Sequence, residues 1–121
     1  MFQGGEVEYS AGLTLQESQL LHVRQDPTRS RLLLLSHSPV FTIGKFGDAG
    51  NILDPHDIPV VRTDRGGDVT YHGPGQLIGY PILSLREHQI GIRTFIRRIE
   101  NSLLKTVSHF GIEAWRKDDC V

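Results

Sequence analysis

The sequence predicts an α/β fold of the α+β type, a mixed and largely antiparallel sheet with helices on one side, for this chain of 121 residues. Three observations carry that expectation. Leu32-Leu33-Leu34-Leu35 and Val40-Phe41-Thr42-Ile43 are apolar runs of strand length, separated by His37-Ser38-Pro39. Residues 91–110 repeat apolar side chains at spacings of three and four, the period of an amphipathic helix. Residues 65–76 gather Gly66, Gly67, Gly73, Pro74 and Gly75 around a short polar segment, which marks two turns bracketing a strand. A single domain over residues 1–121 is expected, long enough to bury a respectable core.

In chain order, Ser10 is the expected N-cap of a helix that carries Leu13, Glu17, Leu20 and Leu21 on one stripe and is ended by Asp26-Pro27. Residues 31–36 are apolar on consecutive positions, as in a strand covered on both faces, and residues 40–44 are its expected hairpin partner. Residues 46–57 are rich in Gly, Asp, Asn and Pro without periodicity and read as a mobile surface loop. Residues 59–64 form a short strand leading to Arg65. Alternation in residues 68–72 sends Asp68, Thr70 and His72 to one side and Val69 and Tyr71 to the other. Pro81 inside the next apolar run implies an edge strand or a bulge. The helix over residues 91–110 is stopped by Gly111 and carries Arg93, Arg97, Arg98, Glu100, Asn101 and Lys105 on its polar face. Ile112-Glu113-Ala114-Trp115 is the expected start of a further strand.

Composition excludes several classes. Lys and Arg number 13 against 14 Asp and Glu, and no basic run or zinc-finger spacing occurs, so no nucleic-acid partner is expected. The longest apolar run, Leu32-Leu33-Leu34-Leu35, is far too short to span a bilayer, and the first residues lack a charged leader with an apolar core, so no membrane association is expected. One cysteine, Cys120, rules out an internal disulfide framework and fits a reducing compartment, which makes a cytoplasmic location the expectation.

The densest chemistry lies in Arg65-Gly66-Gly67-Asp68-Val69-Thr70-Tyr71-His72-Gly73-Pro74-Gly75-Gln76. Glycine lacks a Cβ, so a ligand can lie directly against peptide N–H groups there. A phosphate loop is excluded because no Gly-Lys-Ser/Thr follows and no Gly-x-Gly-x-x-Gly leads into a helix. Arg65 is a fixed fork suited to a carbonyl or phosphate, with Gly66 and Gly67 approaching the same group. Asp68 is expected to pair with Arg65, and His72 is either a ligand-facing imidazole or a bonded structural one.

This stretch, continued by Leu77 and Tyr80-Pro81-Ile82, closely resembles the signature of the octanoyl/lipoyl transferases, the lipoate-protein ligase B family. Weaker similarity covers residues 5–16, 32–44 and the helix before Gly111. The resemblance implies the amino-terminal part of the biotin/lipoyl protein ligase fold, which is class II aminoacyl-tRNA synthetase-like, incomplete at the C-terminus. It implies transfer of an octanoyl group from acyl carrier protein, through an enzyme thioester, to a lysine of lipoyl domains in 2-oxoacid dehydrogenases and the glycine cleavage H protein, without a cofactor. Its substrate-binding segment falls position by position on Arg65, Gly66, Gly67, Asp68, Val69, Thr70, Tyr71 and His72, with Tyr71 and His72 orienting the thioester or the incoming lysine. It also places the turn at His37 and the residues after the second strand beside the acyl site. His37 nevertheless reads as a turn histidine, and Lys45 as a solvated lysine without a catalytic role.

Thioester chemistry needs a thiolate, a cation to lower its pKa, and N–H donors for the oxyanion. The family draws the first two from Pro-Cys-Gly and Lys-x-x-Ala-Ile-Gly, and neither motif occurs in this sequence. Cys120 follows Arg116-Lys117-Asp118-Asp119, outside the nucleophile's sequence context, so no catalytic residue is assigned within the chain and it is read as truncated before them. The arginines at 97 and 98 suit steering of acidic partners, or simply a solvated helix face. Two alternatives stay open: an ATP-dependent lipoate or biotin protein ligase, though no Gly-rich segment with a downstream Lys for the nucleotide is found, and a non-catalytic fragment that binds an acyl chain or a partner.

Overall fold

The computed structural model describes residues 2–117, with side chains from Gly5 onward. The chain forms two compact units divided between Leu83 and Ser84. The first holds strands β1 (Phe2–Val7), β2 (Arg31–His37), β3 (Val40–Ile43), β4 (Val60–Arg62), β5 (Val69–His72) and β6 (Ile78–Ile82), together with helix α1 (Tyr9–Gln25). The second holds helix α2 (Ile92–His109).

Within the first unit the described strands divide into two three-stranded sheets, ordered β1-β2-β6 and β4-β3-β5. Each is mixed: β1 runs parallel and β6 antiparallel to β2, while β4 runs parallel and β5 antiparallel to β3. The α/β class therefore stands, but the expected hairpin of β2 with β3 does not form. A proline turn after an apolar run is compatible either with reversal in one sheet or with passage to another, and here Ser38-Pro39 carries the chain across. Ser38 N–H is held by the Val7 carbonyl at 3.3 Å, in the direction of β1. The chain returns through Gly73-Pro74-Gly75-Gln76, where Gln76 N–H donates to Gly73 O at 3.2 Å and Gly75 sits at φ +82°. Proline second and a positive-φ glycine third is the residue pattern of a type II turn. β6 is an edge strand with Pro81 opposite Leu32, as the proline requires.

The core of this unit is small and sits on one face of β2. Leu33, Leu35 and His37 are buried while Leu32 is 50 % exposed, so the run is covered fully on one face rather than on both. Register with β6 puts Leu33 opposite Tyr80 and Leu35 opposite Ile78 on that face. Helix α1 packs across β2 and β6. Its phase differs from the expected stripe: Gly12 and Val23 are buried, whereas Leu13, Leu20 and Leu21 are exposed. Gly12 decides this, because a Cβ there would meet His37 Cε1 at 2.6 Å and only glycine lets the helix lie so close. Ser10 is not the cap. The helix begins at Tyr9 after Glu8, without a side-chain cap bond, and the Ser10 carbonyl accepts from Thr14 Oγ1.

In the second unit α2 shows the expected amphipathic pattern and the expected stop. Gly111 sits at φ +75°, Gly111 N–H donates to Ser108 O at 3.0 Å, and Ile112 N–H to Val107 O at 3.1 Å. This pair of bonds is a Schellman motif, closing the last carbonyls of the helix. The expected strand from Ile112 does not form among the described residues, because a strand needs a neighbour to bond and none is present there. Arg116 instead folds back to Glu100, at 2.8 Å, and to the Asn101 side-chain carbonyl. Among the described residues no helix is long and apolar enough to cross a membrane. Cys120 lies outside the described residues.

Candidate functional site

The signature segment is built around the end of β3. Arg65 turns inward: Nε donates to Thr42 Oγ1 at 3.2 Å, Nη2 to Thr42 O, Thr42 Oγ1 and Asp68 O at 2.8 Å each, and Nη1 to Gly66 O at 2.8 Å. The guanidinium thus gathers the carbonyls of its own loop and of β3, neutralising dipoles that would otherwise face one another. The strand end completes the grip, as Gly44 N–H donates to Asp68 O at 3.1 Å and Lys45 N–H to Arg65 O at 3.0 Å. With the carbonyls turned in, the Gly66 and Gly67 N–H groups have no acceptor among the described residues. A Cβ on Gly66 would meet nothing within 4 Å, and Gly67 holds φ +79°. The first glycine turn therefore has donors without a protein acceptor and open space beside Gly66, but Arg65, expected to face the same group as these amides, has its own donors committed to Thr42, Gly66 and Asp68. Arg65 serves that geometry from behind.

Asp68 does not pair with Arg65. Its carboxylate accepts from Asp48 N–H at 2.9 Å and from Asn51 Nδ2, while only its backbone carbonyl meets the guanidinium. The reason is position: the strand begins at Val69, so Asp68 belongs to the turn and reaches across to the neighbouring loop. Residues 46–57, expected to be mobile, are in this way tied to the signature. Gly47 permits the approach, since a Cβ there would lie 2.9 Å from both Asp68 Oδ1 and Ile43 Cγ2.

Strand β5 alternates as expected from Val69 to His72. Tyr71 lies opposite Phe41, with ring centroids 5.3 Å apart, and its ring folds over Gly73. The other face carries Thr70 opposite Thr42 and His72 opposite Val40. His72 Nε2 lies 3.3 Å from Thr42 Oγ1, so the imidazole is coupled through that hydroxyl to the arginine. Burial, then the neighbouring His37 and Arg65, holds the His72 pKa below the usual histidine value.

Around His72 the ends of several elements bring together a polar cluster. Tyr9, the first residue of α1, stacks on His72 at 6.3 Å and lies 5.1 Å from the His37 ring. His37 ends β2, is fully buried, and bridges two partners: Nδ1 lies 2.8 Å from Val7 O and Nε2 lies 2.8 Å from Tyr80 Oη. A carbonyl only accepts, so Nδ1 carries the proton. In the neutral ring Nε2 then accepts from the Tyr80 hydroxyl. Burial, with Tyr9 nearby, pushes the Tyr80 pKa up to about 12, and burial raises Tyr9 as well, so both phenols remain donors at neutral pH. His37 is thus no solvent-side turn histidine but the centre of a bonded network. Tyr9 and Thr42 are absent from the residues singled out by sequence, and Tyr80 appears there only in the signature's continuation, without a role. A polar residue at an inward position of an apolar strand is a sequence sign for Thr42 and Tyr80; Tyr9 has none.

Lys45 is exposed, with its ammonium 5.6 Å from the Phe46 ring centre, and carries no contact with the cluster that an acid–base role requires. A cavity of about 460 Å³ opens beside the second glycine turn, lined by Gly5, Glu6, Leu35, Ser36, Gly75, Gln76 and Leu77. No group of three or more His, Cys, Asp or Glu side chains suited to a metal ion occurs among the described residues. The arrangement can offer hydrogen-bond donors to a carbonyl or thioester, and an apolar recess lies at the second glycine turn. It holds no thiol among its described members.

The family model described as "Lipoyl protein ligase A/B catalytic domain" matches residues 8–119. Proteins similar to this chain include the octanoyltransferase of Pelobacter propionicus, 47 % identical over 112 residues that make up 93 % of this chain and 53 % of that protein. Those of Cellvibrio japonicus and Hahella chejuensis are 50 % and 51 % identical over 96 residues, 79 % of this chain and 45 % and 43 % of theirs. The chain spans about half the length of the curated relatives it matches.

Proposed function

This chain belongs to the lipoyl protein ligase A/B catalytic domain family, and from that premise we propose that it is the donor-binding part of an octanoyltransferase. The reaction moves an octanoyl group from acyl carrier protein to a lysine of a lipoyl domain. An enzyme thiolate attacks the donor thioester carbonyl and the carrier's thiolate departs. The deprotonated lysine amine then attacks the enzyme thioester, the enzyme sulfur departs with the proton that the nitrogen loses, and an amide remains. The acceptors are the lipoyl domains of 2-oxoacid dehydrogenases and the glycine cleavage H protein, and the cytoplasm, a reducing compartment, keeps the thiol reactive.

Within that reading the residues at 65–72 form the wall against which the acyl thioester lies. The amides of Gly66 and Gly67 and the imidazole of His72 address its carbonyl. Arg65 and Asp68 hold the wall's shape, and Val69, Thr70 and Tyr71 form the strand that supports it. The recess beside Leu35 and Leu77 takes the alkyl chain. The thiol and the lysine that activates it are not supplied by any Pro-Cys-Gly or Lys-x-x-Ala-Ile-Gly within these residues. The observation that carries the reading is the pair of glycine amides left without an acceptor among the described residues, in a loop whose arginine is turned inward.

Gly66→Ala tests it in the full-length protein. The added methyl enters open space and no positive φ is needed, so folding stability should change by less than about 0.5 kcal/mol. Octanoyl transfer to a lipoyl domain, followed by the intact mass of the acceptor, should fall by about tenfold or more as the methyl obstructs the donor. Unchanged transfer at unchanged stability would remove the wall from the reaction. ATP-dependent activation of free octanoate by the same protein would favour a ligase instead.

A further inference from the structure

Arg65 is the fork that the sequence offers to a carbonyl or phosphate, but its donors are committed to Thr42, Gly66 and Asp68. A different pair of cations adjoins the same loop. β3 and β4 run parallel, with Ile43 opposite Arg62, so both strands deliver the residues that follow them to one edge of the sheet. There Gly44, Lys45, Arg62, Thr63 and Asp64 line a recess of about 230 Å³. Its backbone is pinned on both strands. Thr63 N–H and Oγ1 both donate to Ile43 O, at 2.9 and 3.2 Å, while Gly44 N–H is held by Asp68 O at 3.1 Å and Lys45 N–H by Arg65 O at 3.0 Å. The charged heads are not pinned. Lys45, Arg62 and Asp64 line one recess, yet none of them forms an ion pair or a side-chain hydrogen bond with a described residue.

We propose that this recess is a binding site for a phosphate ester, whose oxygens are taken by Arg62 and Lys45. Two cations carried by different strand ends reach an anion from different directions, which a tetrahedral phosphate answers with separate oxygens better than a planar carboxylate does. Lys45 and Arg62 against Asp64 leave one net positive charge, the complement of a phosphodiester rather than of a polyphosphate. Asp64 opposes a second anionic group and accepts from a hydroxyl or amide N–H in the organic part of the ester. The recess adjoins the signature through the chain itself, since Asp64 precedes Arg65 and Gly44 packs directly on the Gly67 carbonyl. On the donor-wall reading of residues 65–72, the ester is the phosphodiester that joins the thioester arm to its carrier protein. That identification rests on the reading, whereas the recess belongs to the free protein and suits a free phosphate ester equally.

The test uses the full-length protein and two donors that differ only in the phosphate, octanoyl-pantetheine and octanoyl-4′-phosphopantetheine. Two exposed charge contacts acting together should favour the phosphorylated donor about fivefold in kcat/KM. Lys45→Met combined with Arg62→Gln should bring that ratio close to one; both side chains are exposed, so neither change empties a core. A second measurement follows the backbone amides of Lys45 and Thr63 by NMR as glycerol phosphate is added. Equal donors together with amide shifts that the double variant loses would assign the recess to a free phosphate ester. A donor preference that survives in the double variant would overturn the proposal. So would a wild-type protein with neither preference nor shifts, a result that stands even if the variant fails to fold. Gly66→Ala should slow both donors alike and leave their ratio unchanged, so failure of the donor wall and failure of the recess are read separately.

Discussion

Gly44→Ala should unfold the signature from behind without touching any group that faces the open side. A Cβ at this buried position would lie 2.1 Å from Gly67 O, 2.9 Å from Gly67 C and 3.1 Å from Arg65 O. Carbon and carbonyl oxygen approach no closer than about 3.3 Å, so strand and loop must separate by about 1.2 Å. The two bonds that join them, Gly44 N–H to Asp68 O at 3.1 Å and Lys45 N–H to Arg65 O at 3.0 Å, are then stretched beyond hydrogen-bond range. Two lost bonds at about 1 kcal/mol each and an overpacking term of about 1–3 kcal/mol give about 3–5 kcal/mol. With a urea slope of about 2 kcal/mol/M the unfolding midpoint should fall by about 2 M, the slope itself staying constant. Gly66→Ala is the control from the same loop, since its Cβ meets nothing within 4 Å. A midpoint for Gly44→Ala within about 0.3 M of the wild type would refute the close backbone approach, and with it the inward grip on residues 65–68.

Other perturbations address separate parts of the molecule. Asp68→Ala frees Asp48 N–H and Asn51 Nδ2, should lower stability by about 1–2 kcal/mol, and should speed proteolytic cleavage within residues 46–57; unaltered cleavage would show that the carboxylate does not restrain the loop. Gly111→Ala forces a Cβ into φ +75° and should cost about 1 kcal/mol of α2 stability, with Gly111→Asn milder; equal helicity by circular dichroism in all three would refute the Schellman stop. For pH, the folded His72 pKa lies below the unfolded 6.5, so its contribution is present above 6.5 and lost as pH falls through the folded value. Tyr80 has the opposite sign: its pKa rises from 10.0 to about 12, so its contribution is present below 10 and lost as pH climbs toward 12. A His72 NMR titration midpoint at or above 6.5, or a Tyr80 ultraviolet titration midpoint near 10, would contradict the burial of these groups.

What the sequence disclosed follows the range of the physics involved. Helix α2 and its glycine stop were legible because period and turn chemistry are local. The glycine turns at 66–67 and 73–75 were legible for the same reason, and so was the alternation of Thr70 and His72 against Val69 and Tyr71. The phase of α1 was not, because Leu13, Leu20 and Leu21 outweigh Gly12 on any hydrophobic scale, while the close approach to His37 that selects Gly12 is made by distant residues. Nor was β1 announced, since its Gly4-Gly5-Glu6 carries no strand pattern, and its pairing comes from β2. The Tyr9, His37, Tyr80 and His72 network joins four elements far apart in sequence, and only the fold assembles it. Asp68 was assigned the wrong partner because the nearest opposite charge in sequence had its donors committed to carbonyls.

The double crossing between sheets makes everything from Val40 to His72 a parenthesis within the β2–β6 pair. Its three strands can find one another over short chain separations, whereas β2 and β6 meet only across the whole insertion and bear its loop-closure entropy. The parenthesis should therefore acquire order first and act as the spacer that brings Tyr80 to His37. Pulse-labelled hydrogen exchange during refolding would read this directly as earlier protection of Thr42 and Tyr71 than of Leu33 and Tyr80, and simultaneous protection would argue against it. Insertions or deletions inside the parenthesis would then act on the His37–Tyr80 bond at a distance, by changing the span that the outer pair must close.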